Sequence, residues 1–384
     1  MRILAAGGGS GGHVTPVVAV LREVKQRYPD TEIQFWCDRK FGVTARSVMH
    51  HFDPAIKVET ISSGKLRRYH HLSVLQQLLK FRTIVLPNII DMAKVVIGLI
   101  ESLVKLVAWR PDVVFTKGGF VCLPIGVAAK MLRIPLVIHD SDAHPGLTNR
   151  ILARWATAIG TGAPLQFYNY PATKAQYVGV PVRADFMPYT LEQQAAAKRA
   201  LGLSSERPLV VVTGGGLGAK RLNMAVASDL HTLLQHTNIV LISGEAQYDE
   251  MNALTPGDDK RFQLYPFVNQ GMAKMLGAAD IVVARAGATT IVELAALAKP
   301  TILVPNGYLT GGHQLKNAAV YAEKGAVSVL DEEELEKEPS KLTDEILNLL
   351  ADKTRLQAMG SAFHAFAKPN AAKDMAEMIV AAVK

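Results

Sequence analysis

The chain contains the same strand–glycine–helix pattern at two places, and this repetition limits its fold more than any other feature. The stretch "MRILAAGGGSGGHVTP" opens the sequence at Met1, and "RPLVVVTGGGLGAKRLN" begins at Arg207. In each, an apolar run leads into a glycine loop and then into a helical pattern. Glycines at such a turn let backbone N–H groups approach a diphosphate at the positive end of a helix. The sequence therefore predicts two doubly wound α/β domains in tandem.

Short apolar runs alternate with helical patterns along both halves. They include "EIQFWC", "VVFTKGG" and "PLVIHD" in the first half, and "NIVLISG", "FQLYPF", "DIVVARAG" and "PTILVP" in the second. This alternation is typical of parallel sheets covered by helices. A proline-containing stretch near Pro188 separates the halves, which predicts domains over residues 1–187 and 188–364. The remaining residues, 365–384, are expected to form a helix that packs on one of the halves, the first being the candidate.

Composition narrows the possible functions. Among 384 residues the formal net charge is +8, and the two cysteines, Cys37 and Cys122, lie inside apolar runs. This usage argues against a disulfide scaffold or a zinc site and fits a reducing compartment. The charge favours an anionic partner, which at this point can be nucleic acid, a membrane surface or a phosphorylated substrate. The opening residues lack the apolar stretch of a secretory signal.

The most apolar region, residues 83–109, is interrupted by polar positions that recur at helical spacing. Such spacing places them on one stripe of a helix. We expect a helix of a soluble protein, not a membrane span, with a narrow polar edge and a wide buried face. The polar stripe consists of Asp91, Lys94, Gly98, Glu101 and Lys105.

The preceding stretch, "GKLRRYHHLSVLQQLLKFR", combines cations with spaced leucines. A basic amphipathic segment can lie on an anionic bilayer, where each cation near the surface contributes about 1 kcal/mol. The sequence therefore predicts a membrane-facing segment, with a buried leucine face as the alternative. The membrane-facing candidates are Leu72, Leu75, Leu79, Arg67, Arg68 and Lys80.

The first glycine loop fits a dinucleotide-binding site, although other features of the sequence argue against one. Gly7, Gly9 and Gly12 satisfy the pattern G-x-G-x-x-G, and Asp38 ends the second strand, where a dinucleotide enzyme has its ribose-binding acid. A dinucleotide-dependent oxidoreductase is therefore one candidate. Against it, the loop continues into His13 at the mouth of the helix, and a second glycine loop opens the other half.

A third turn, "ARAGATTIVELAALAKPTILVP", also argues for a different nucleotide. If its helix begins near Ala288, the first N–H groups form an anion site that needs no metal. Glu293 then lies about one and a half turns into the helix, where its carboxylate can accept hydrogen bonds from ribose hydroxyls. These residues predict a nucleoside diphosphate along the second half. A helix-dipole role for Glu293 is the alternative.

Four motifs occur together in this order: "GGSGGHVTP", "GGGLGAKRLN", "ARAGATTIVELAALAKPTILVP" and "GGHQLKNA". With them the chain resembles, over essentially its whole length, the MurG family of N-acetylglucosaminyltransferases of peptidoglycan synthesis. The resemblance implies the GT-B fold, in which two Rossmann-like doubly wound domains face each other across a cleft. It also implies an inverting transfer of N-acetylglucosamine from UDP-N-acetylglucosamine to the C4 hydroxyl of undecaprenyl-diphosphate-linked MurNAc-pentapeptide, with no cofactor and no metal.

Under this resemblance the positive charge serves an anionic lipid substrate and an anionic membrane surface, and not nucleic acid. The chain is then expected to be a peripheral protein at the cytoplasmic face of the cell membrane. A UDP-sugar epimerase of the same fold remains as an alternative, although it would need acidic catalytic residues around the donor sugar.

The resemblance assigns the donor site mainly to the second half. Phe267 and Val268 fall where the family holds uracil, and Glu293 falls at the ribose. Arg183 and Arg285 are the expected cations for the leaving diphosphate, because something must neutralise the charge that develops there. The full donor set is Ser10, Gly11, Gly12, Asp142, Arg183, Gly216, Phe267, Val268, Arg285, Ala288, Thr289, Thr290, Glu293 and Gln314.

Two residues of the first half are candidates for the catalytic base. Inversion requires a group that takes the proton of the attacking hydroxyl, and the imidazole of His13 titrates in a suitable range. Capping of the loop or phosphate binding is the alternative for His13. Asp142 replaces the amide that the family usually has there, and a carboxylate can itself accept a proton, so we expect it to share the task. Gly216 similarly replaces a usual serine, which removes one hydroxyl contact to phosphate.

Overall fold

The computed structural model describes residues 1–8, 11–65, 79–215, 218–255, 257, 259–268, 270–307 and 312–383, and leaves out the side chains of residues 11–13. The chain divides into two compact units. The first unit is Met1–Arg183 together with Lys368–Lys384, and the second unit is Ala184–Ala367.

Among the described residues, the sheet of the first unit has seven strands, all parallel to their neighbours. They are β1 (Arg2–Ala6), β2 (Glu32–Asp38), β3 (Lys57–Ile61), β4 (Val113–Thr116), β5 (Leu136–Asp140), β6 (Ala158–Thr161) and β7 (Ala175–Tyr177). Their order is β3-β2-β1-β4-β5-β6-β7. The order reverses between β1 and β4, and doubly wound folds bind ligands beyond the carboxyl ends of the strands at such a point.

The second unit repeats this plan. Its described strands are β8 (Leu209–Thr213), β9 (Asn238–Ile242), β10 (Phe262–Tyr265), β11 (Ile281–Ala284), β12 (Thr301–Leu303) and β13 (Ser328–Val329). They are parallel, in the order β10-β9-β8-β11-β12-β13, so the reversal lies between β8 and β11. The predicted pair of doubly wound α/β domains is confirmed, and the predicted strands are present. The short strands β3, β6, β7 and β13 were not predicted.

Helices cover both faces of each sheet, because strands with continuous apolar sequences need cover on both sides. In chain order they are α1 (Gly11–Arg27), α2 (Gly42–Phe52), α3 (Leu86–Trp109), α4 (Cys122–Met131), α5 (Leu147–Leu152), α6 (Leu191–Ala200), α7 (Lys220–Ser228), α8 (Leu230–His236), α9 (Tyr248–Leu254), α10 (Met272–Ala278), α11 (Ala288–Ala296), α12 (His313–Ala322), α13 (Glu332–Lys337), α14 (Ser340–Ala351), α15 (Lys353–His364) and α16 (Ala371–Ala381). In the first unit, α1, α2 and α16 share one core, and α3, α4 and α5 share the other.

The burial of α3 is the reverse of the expected pattern. The polar stripe faces the protein because the chain that follows β3 carries polar groups that need partners there. The Ser62 N–H and hydroxyl donate to the Glu101 carboxylate at 2.7 and 2.8 Å, and Lys105 pairs with Glu59 of β3. The expectation of a wide buried apolar face is therefore wrong. The buried residues of α3 are Asp91, Gly98, Ser102 and Leu106.

The apolar side of α3 is exposed instead. Together with the π-helical turn Phe81–Val85, α3 forms a continuous helix over Phe81–Trp109, with mean hydropathy 1.8 in its most apolar window and 17% of that window buried. By length and composition alone this helix could cross a membrane. We call its exposed side chains the apolar face of α3: Phe81, Leu86, Ile89, Ile90, Met92, Val96, Ile97, Ile100, Val104 and Val107.

Candidate active site

The glycine loop of the second unit presents backbone at the carboxyl end of β8. Gly215 and Gly218 have positive φ values of 75° and 73°, which favour glycine. The N–H of Gly215 donates to the Thr213 hydroxyl at 3.2 Å, and Gly218 lies so close to the Ser243 carbonyl oxygen that no side chain would fit. Gly216 lies outside the described residues. At these glycines the loop therefore presents backbone without side chains at the edge where a ligand would approach.

The helix of the third turn, α11, begins at Ala288, where the sequence predicts it. Its cap residue, Gly287, has extended backbone and offers no side chain to the first turn. Thr289 and Thr290 lie half-buried in this first turn, and Glu293 is half-buried about one turn further on. The amino end of a helix that lacks a side-chain cap favours an anion. The arrangement suits a diphosphate with a ribose beyond it.

Arg285 follows β11 and is buried. Its guanidinium donates to the Val304 carbonyl at 3.0 Å and forms an ion pair with Glu332, which is itself buried. Arg221 lies 3.6 Å from the other carboxylate oxygen of Glu332. These contacts fix Arg285 at the carboxyl edge of the sheet and offset part of its charge. Its role toward a diphosphate remains a prediction.

Of the other predicted donor residues, Gln314 lies at the start of α12, Phe267 and Val268 follow a strand of this sheet, and Arg183 belongs to the first unit. The Gln314 side-chain oxygen accepts the Asn306 N–H at 2.8 Å, and Asn317 donates to the Ala286 carbonyl at 3.1 Å, which ties α12 to the turn before α11. Phe267 and Val268 follow β10, and the Phe267 side chain is exposed. Arg183, the last residue of the first unit's long segment, is also exposed. Their contacts with a ligand stay predictions.

In the first unit, the loop after β1 leads directly into α1, so Gly11, Gly12 and His13 form its first turn. Ser10 lies outside the described residues, as do the side chains of residues 11–13. Before the loop, a Cβ on Gly8 would come within 2.7 Å of the Asp38 carboxylate.

Asp38 is buried, and its Oδ1 accepts the N–H groups of Lys40 and Phe41 at 3.1 and 3.2 Å. The carboxylate thus caps its own turn. This engagement gives less support to the oxidoreductase alternative, in which Asp38 would bind ribose.

A buried chain of hydrogen bonds joins the carboxyl ends of β4 and β5. Lys117, 2% exposed, donates from Nζ to the Ser141 hydroxyl, and this hydroxyl lies 3.4 Å from His139 Nδ1. His139 Nε2 lies 2.8 Å from the Gly179 carbonyl, which can only accept, so Nε2 carries the proton and Nδ1 accepts. Burial, assisted by the charge of Lys117, lowers the pKa of His139 well below its usual value. His139 is therefore a neutral acceptor.

Two carboxylates flank Ser141. Asp140 is buried and accepts the Tyr170 hydroxyl at 2.7 Å, whereas Asp142 is half-buried. Burial raises the pKa of Asp140 to about 7; the hydrogen bond from Tyr170 opposes this effect and the charge of Asp142 adds to it. Burial likewise lowers the pKa of Lys117 to about 8, although Asp142 and Asp140 favour its charged form. Lys117, Asp140 and Tyr170 were missed from the sequence. The signal available was a lysine placed directly between a buried strand and two glycines.

The predicted membrane-facing segment lies mostly outside the described residues. Leu72, Leu75, Arg67 and Arg68 all fall there. Leu79 and Lys80 are described, and both are exposed at the start of the helix that includes the apolar face of α3.

Comparisons with known proteins agree with this architecture. Residues 3–161 match the glycosyltransferase family 28 N-terminal domain, and residues 209–375 match the family 28 C-terminal domain. The UDP-N-acetylglucosamine–N-acetylmuramyl-(pentapeptide) pyrophosphoryl-undecaprenol N-acetylglucosamine transferase of Acetivibrio thermocellus is 32% identical over 383 residues, which cover 99% of this chain and 97% of that protein. Transferase 1 of the same name from Bacillus cereus (strain ATCC 14579) is 32% identical over 388 residues, with both chains fully covered.

Solved structures show the same fold. The crystal structure of Acinetobacter baumannii MurG has a TM-score of 0.73 at 24% identity and covers 99% of both chains. A UDP-GlcNAc 2-epimerase from Neisseria meningitidis has a TM-score of 0.67 at 12% identity, over 99% of this chain and 100% of that one. The predicted GT-B fold class and the resemblance to the MurG family are confirmed. The chain belongs to glycosyltransferase family 28 and, within it, to the UDP-N-acetylglucosamine–N-acetylmuramyl-(pentapeptide) pyrophosphoryl-undecaprenol N-acetylglucosamine transferases.

Proposed function

We propose that this chain transfers N-acetylglucosamine from UDP-N-acetylglucosamine to the C4 hydroxyl of MurNAc-pentapeptide carried on undecaprenyl diphosphate. The observation that carries the donor assignment is the amino end of α11, which lacks a side-chain cap and has Glu293 beyond its first turn. The donor diphosphate lies at this helix end, its ribose hydroxyls donate to Glu293, and its uracil lies at Phe267 and Val268. The names of the full-length relatives support the choice of sugar and acceptor.

The reaction is a single displacement. The acceptor oxygen forms a bond to the anomeric carbon while the bond from that carbon to the diphosphate oxygen breaks, and UDP leaves with the electron pair. The hydroxyl proton passes to a base of the first unit, His13 or Asp142. The N–H groups of Ala288, Thr289 and Thr290, with Arg285 and Arg183, stabilise the charge that grows on the diphosphate.

Further contacts complete the proposed donor site. Gln314 holds sugar hydroxyls, and Ser10, Gly11, Gly12 and Gly216 line the approach with small residues and main chain. Asp142 also accepts a hydrogen bond from the sugar if it is not the base.

We further propose that the chain binds the cytoplasmic face of the cell membrane peripherally through the apolar face of α3. A helix of 24 residues is about 36 Å long and can lie in the plane of the bilayer interface. Leu79 and Lys80 lie beside it, and the net charge of +8 favours an anionic surface. The other predicted membrane-facing residues, Leu72, Leu75, Arg67 and Arg68, precede this helix in the sequence.

The test is transfer of radiolabelled sugar from UDP-N-acetylglucosamine to a short-chain analogue of the lipid-linked acceptor. We expect a labelled disaccharide product, and we expect UDP-glucose to be a poor donor. Release of free sugar or of an epimerised nucleotide sugar, without labelled lipid, would contradict the proposed function.

A further inference from the structure

Lys117 is a buried cation whose role the proposed mechanism leaves open. It follows β4, next to the point where the strand order of the first unit reverses, and its N–H donates to the Ala6 carbonyl of β1 at 2.9 Å. Its side chain is 2% exposed, although lysine is almost never fully buried without a specific partner. Its ammonium donates to the Ser141 hydroxyl, and Ser141 lies on the loop that carries Asp142.

The loop that Lys117 contacts is held on several sides. The Asp142 carbonyl accepts the Tyr168 hydroxyl at 2.7 Å, and the Asp140 carbonyl accepts the Gly162 N–H at 2.7 Å. A Cβ on Gly162 would lie 2.5 Å from the Ser141 carbonyl oxygen, so this approach requires glycine. These contacts fix the main chain of the loop, and Lys117, which directly follows β4, contacts the loop through the Ser141 side chain.

The charges around the loop explain what this cation does. Asp140 and Asp142 lie two residues apart, and the charge of Asp142 opposes the ionisation of the buried Asp140. His139 cannot supply a compensating charge because it is neutral. The charges of Asp142 and Asp140 both stabilise the ammonium of Lys117, and the charge of Lys117 in turn favours the ionised form of Asp140. The titratable and charged groups that act on Lys117 and Asp140 are Asp142, His139, Cys122 and Tyr170, and Tyr168 and Arg150 in turn act on Tyr170.

We infer that Lys117 is a positioning residue for the sugar transfer: its ammonium fixes the Ser141–Asp142 turn, so that the Asp142 carboxylate is held where it can accept a proton or a sugar hydrogen bond. This inference rests on the proposed function of Asp142. The lysine itself does not touch the substrate.

The first test measures the coupling without any activity. The wild-type chain and Asp142→Asn, both labelled with [13Cε]lysine, are titrated by NMR. The Lys117 signal should titrate near pH 8 in the wild type, and in Asp142→Asn its midpoint should fall by about one pH unit, because the negative charge that most favours its ammonium is gone. Lys299 is the matched control, since burial lowers its pKa to about 8 as well and it lies at the amino end of β12 in the second unit. Its midpoint should stay unchanged. A Lys117 midpoint that does not respond to Asp142→Asn overturns the inference.

The second test is the pH profile of kcat/KM for sugar transfer. In Lys117→Met the alkaline limb near pH 8 should disappear, because the group that titrates there is gone. Ser141→Ala should lower kcat while the alkaline limb stays in place, because the ammonium remains. Lys299→Met should leave the profile unchanged. An unaltered profile in Lys117→Met refutes the inference and leaves the proposed function intact. Absent transfer by the wild type refutes the function and, with it, the positioning role, whatever the NMR titration shows.

Discussion

The apolar face of α3 gives a quantitative test of membrane binding. Ile100 and Val104 lie one turn apart on this face and are 58% and 65% exposed. Complete burial of such a side chain contributes about 1.5–3 kcal/mol, so removing the exposed part from water contributes about 1–2 kcal/mol for each residue. Replacing both by glutamate should therefore remove about 3 kcal/mol of membrane affinity, roughly a hundredfold in the partition coefficient. Repulsion between the new carboxylates and an anionic surface should increase the loss at low salt.

The assay is co-sedimentation of the full chain with vesicles of phosphatidylcholine and phosphatidylglycerol. Ile100→Glu/Val104→Glu should partition roughly a hundredfold more weakly than the wild type, with unchanged circular dichroism because both side chains are exposed. Leu191→Glu/Leu254→Glu is the matched control, since these leucines are 85% and 52% exposed in the second unit; it should bind like the wild type. Unchanged binding of the α3 variant, or equal weakening of both variants, would refute the assignment of the membrane face.

Three further substitutions test the packing, the donor site and the electrostatics. Gly98→Ala should lower the free energy of unfolding in urea by about 1–3 kcal/mol, because the new Cβ would overlap the Ser62 carbonyl oxygen. Gly257→Ala is the control: it has open space around it and should change this free energy little. Glu293→Gln should weaken UDP binding in calorimetry by roughly tenfold or more through loss of charge-assisted hydrogen bonds. Glu323→Gln, which changes an exposed carboxylate directly after α12, should not weaken it. The pKa of Asp140 in the folded chain is raised to about 7. The stability that its proton contributes is therefore fully present below the pKa of the unfolded chain and is lost as the pH rises through 7. Asp140→Asn should therefore be more stable than the wild type at pH 8, by about 2–4 kcal/mol, and by a smaller margin at pH 5, because the loss builds up between about pH 4 and pH 7; a difference at pH 5 as large as at pH 8 would contradict this origin.

The sequence predicted the features that depend on local pattern. The two strand–glycine–helix units and the start of α11 at Ala288 follow from apolar runs and glycine positions, and both are present. Strands at or near a sheet edge escaped prediction because they are short and only partly apolar. β7 (Ala175–Tyr177) and β13 (Ser328–Val329) are examples, since each is set by the neighbour it pairs with.

Burial and pairing depend on tertiary contacts, and there the sequence was less informative. Helical spacing located the polar stripe of α3 correctly, but spacing alone cannot tell which side of a helix meets the protein. The partners Ser62 and Glu59 decide that the polar side turns inward. Likewise, the pairing of Arg285 with Glu332 joins residues far apart in the sequence. The contact between Lys117 and Ser141 depends on the adjacency of β4 and β5.

A crystal structure of the chain with bound UDP-N-acetylglucosamine tests the central claim most directly. We expect the diphosphate at the N–H groups of Ala288 to Thr290, the ribose hydroxyls within hydrogen-bond distance of the Glu293 carboxylate, and the uracil beside Phe267. A nucleotide bound instead at the turn between β1 and α1, with its ribose at Asp38, would contradict the claim.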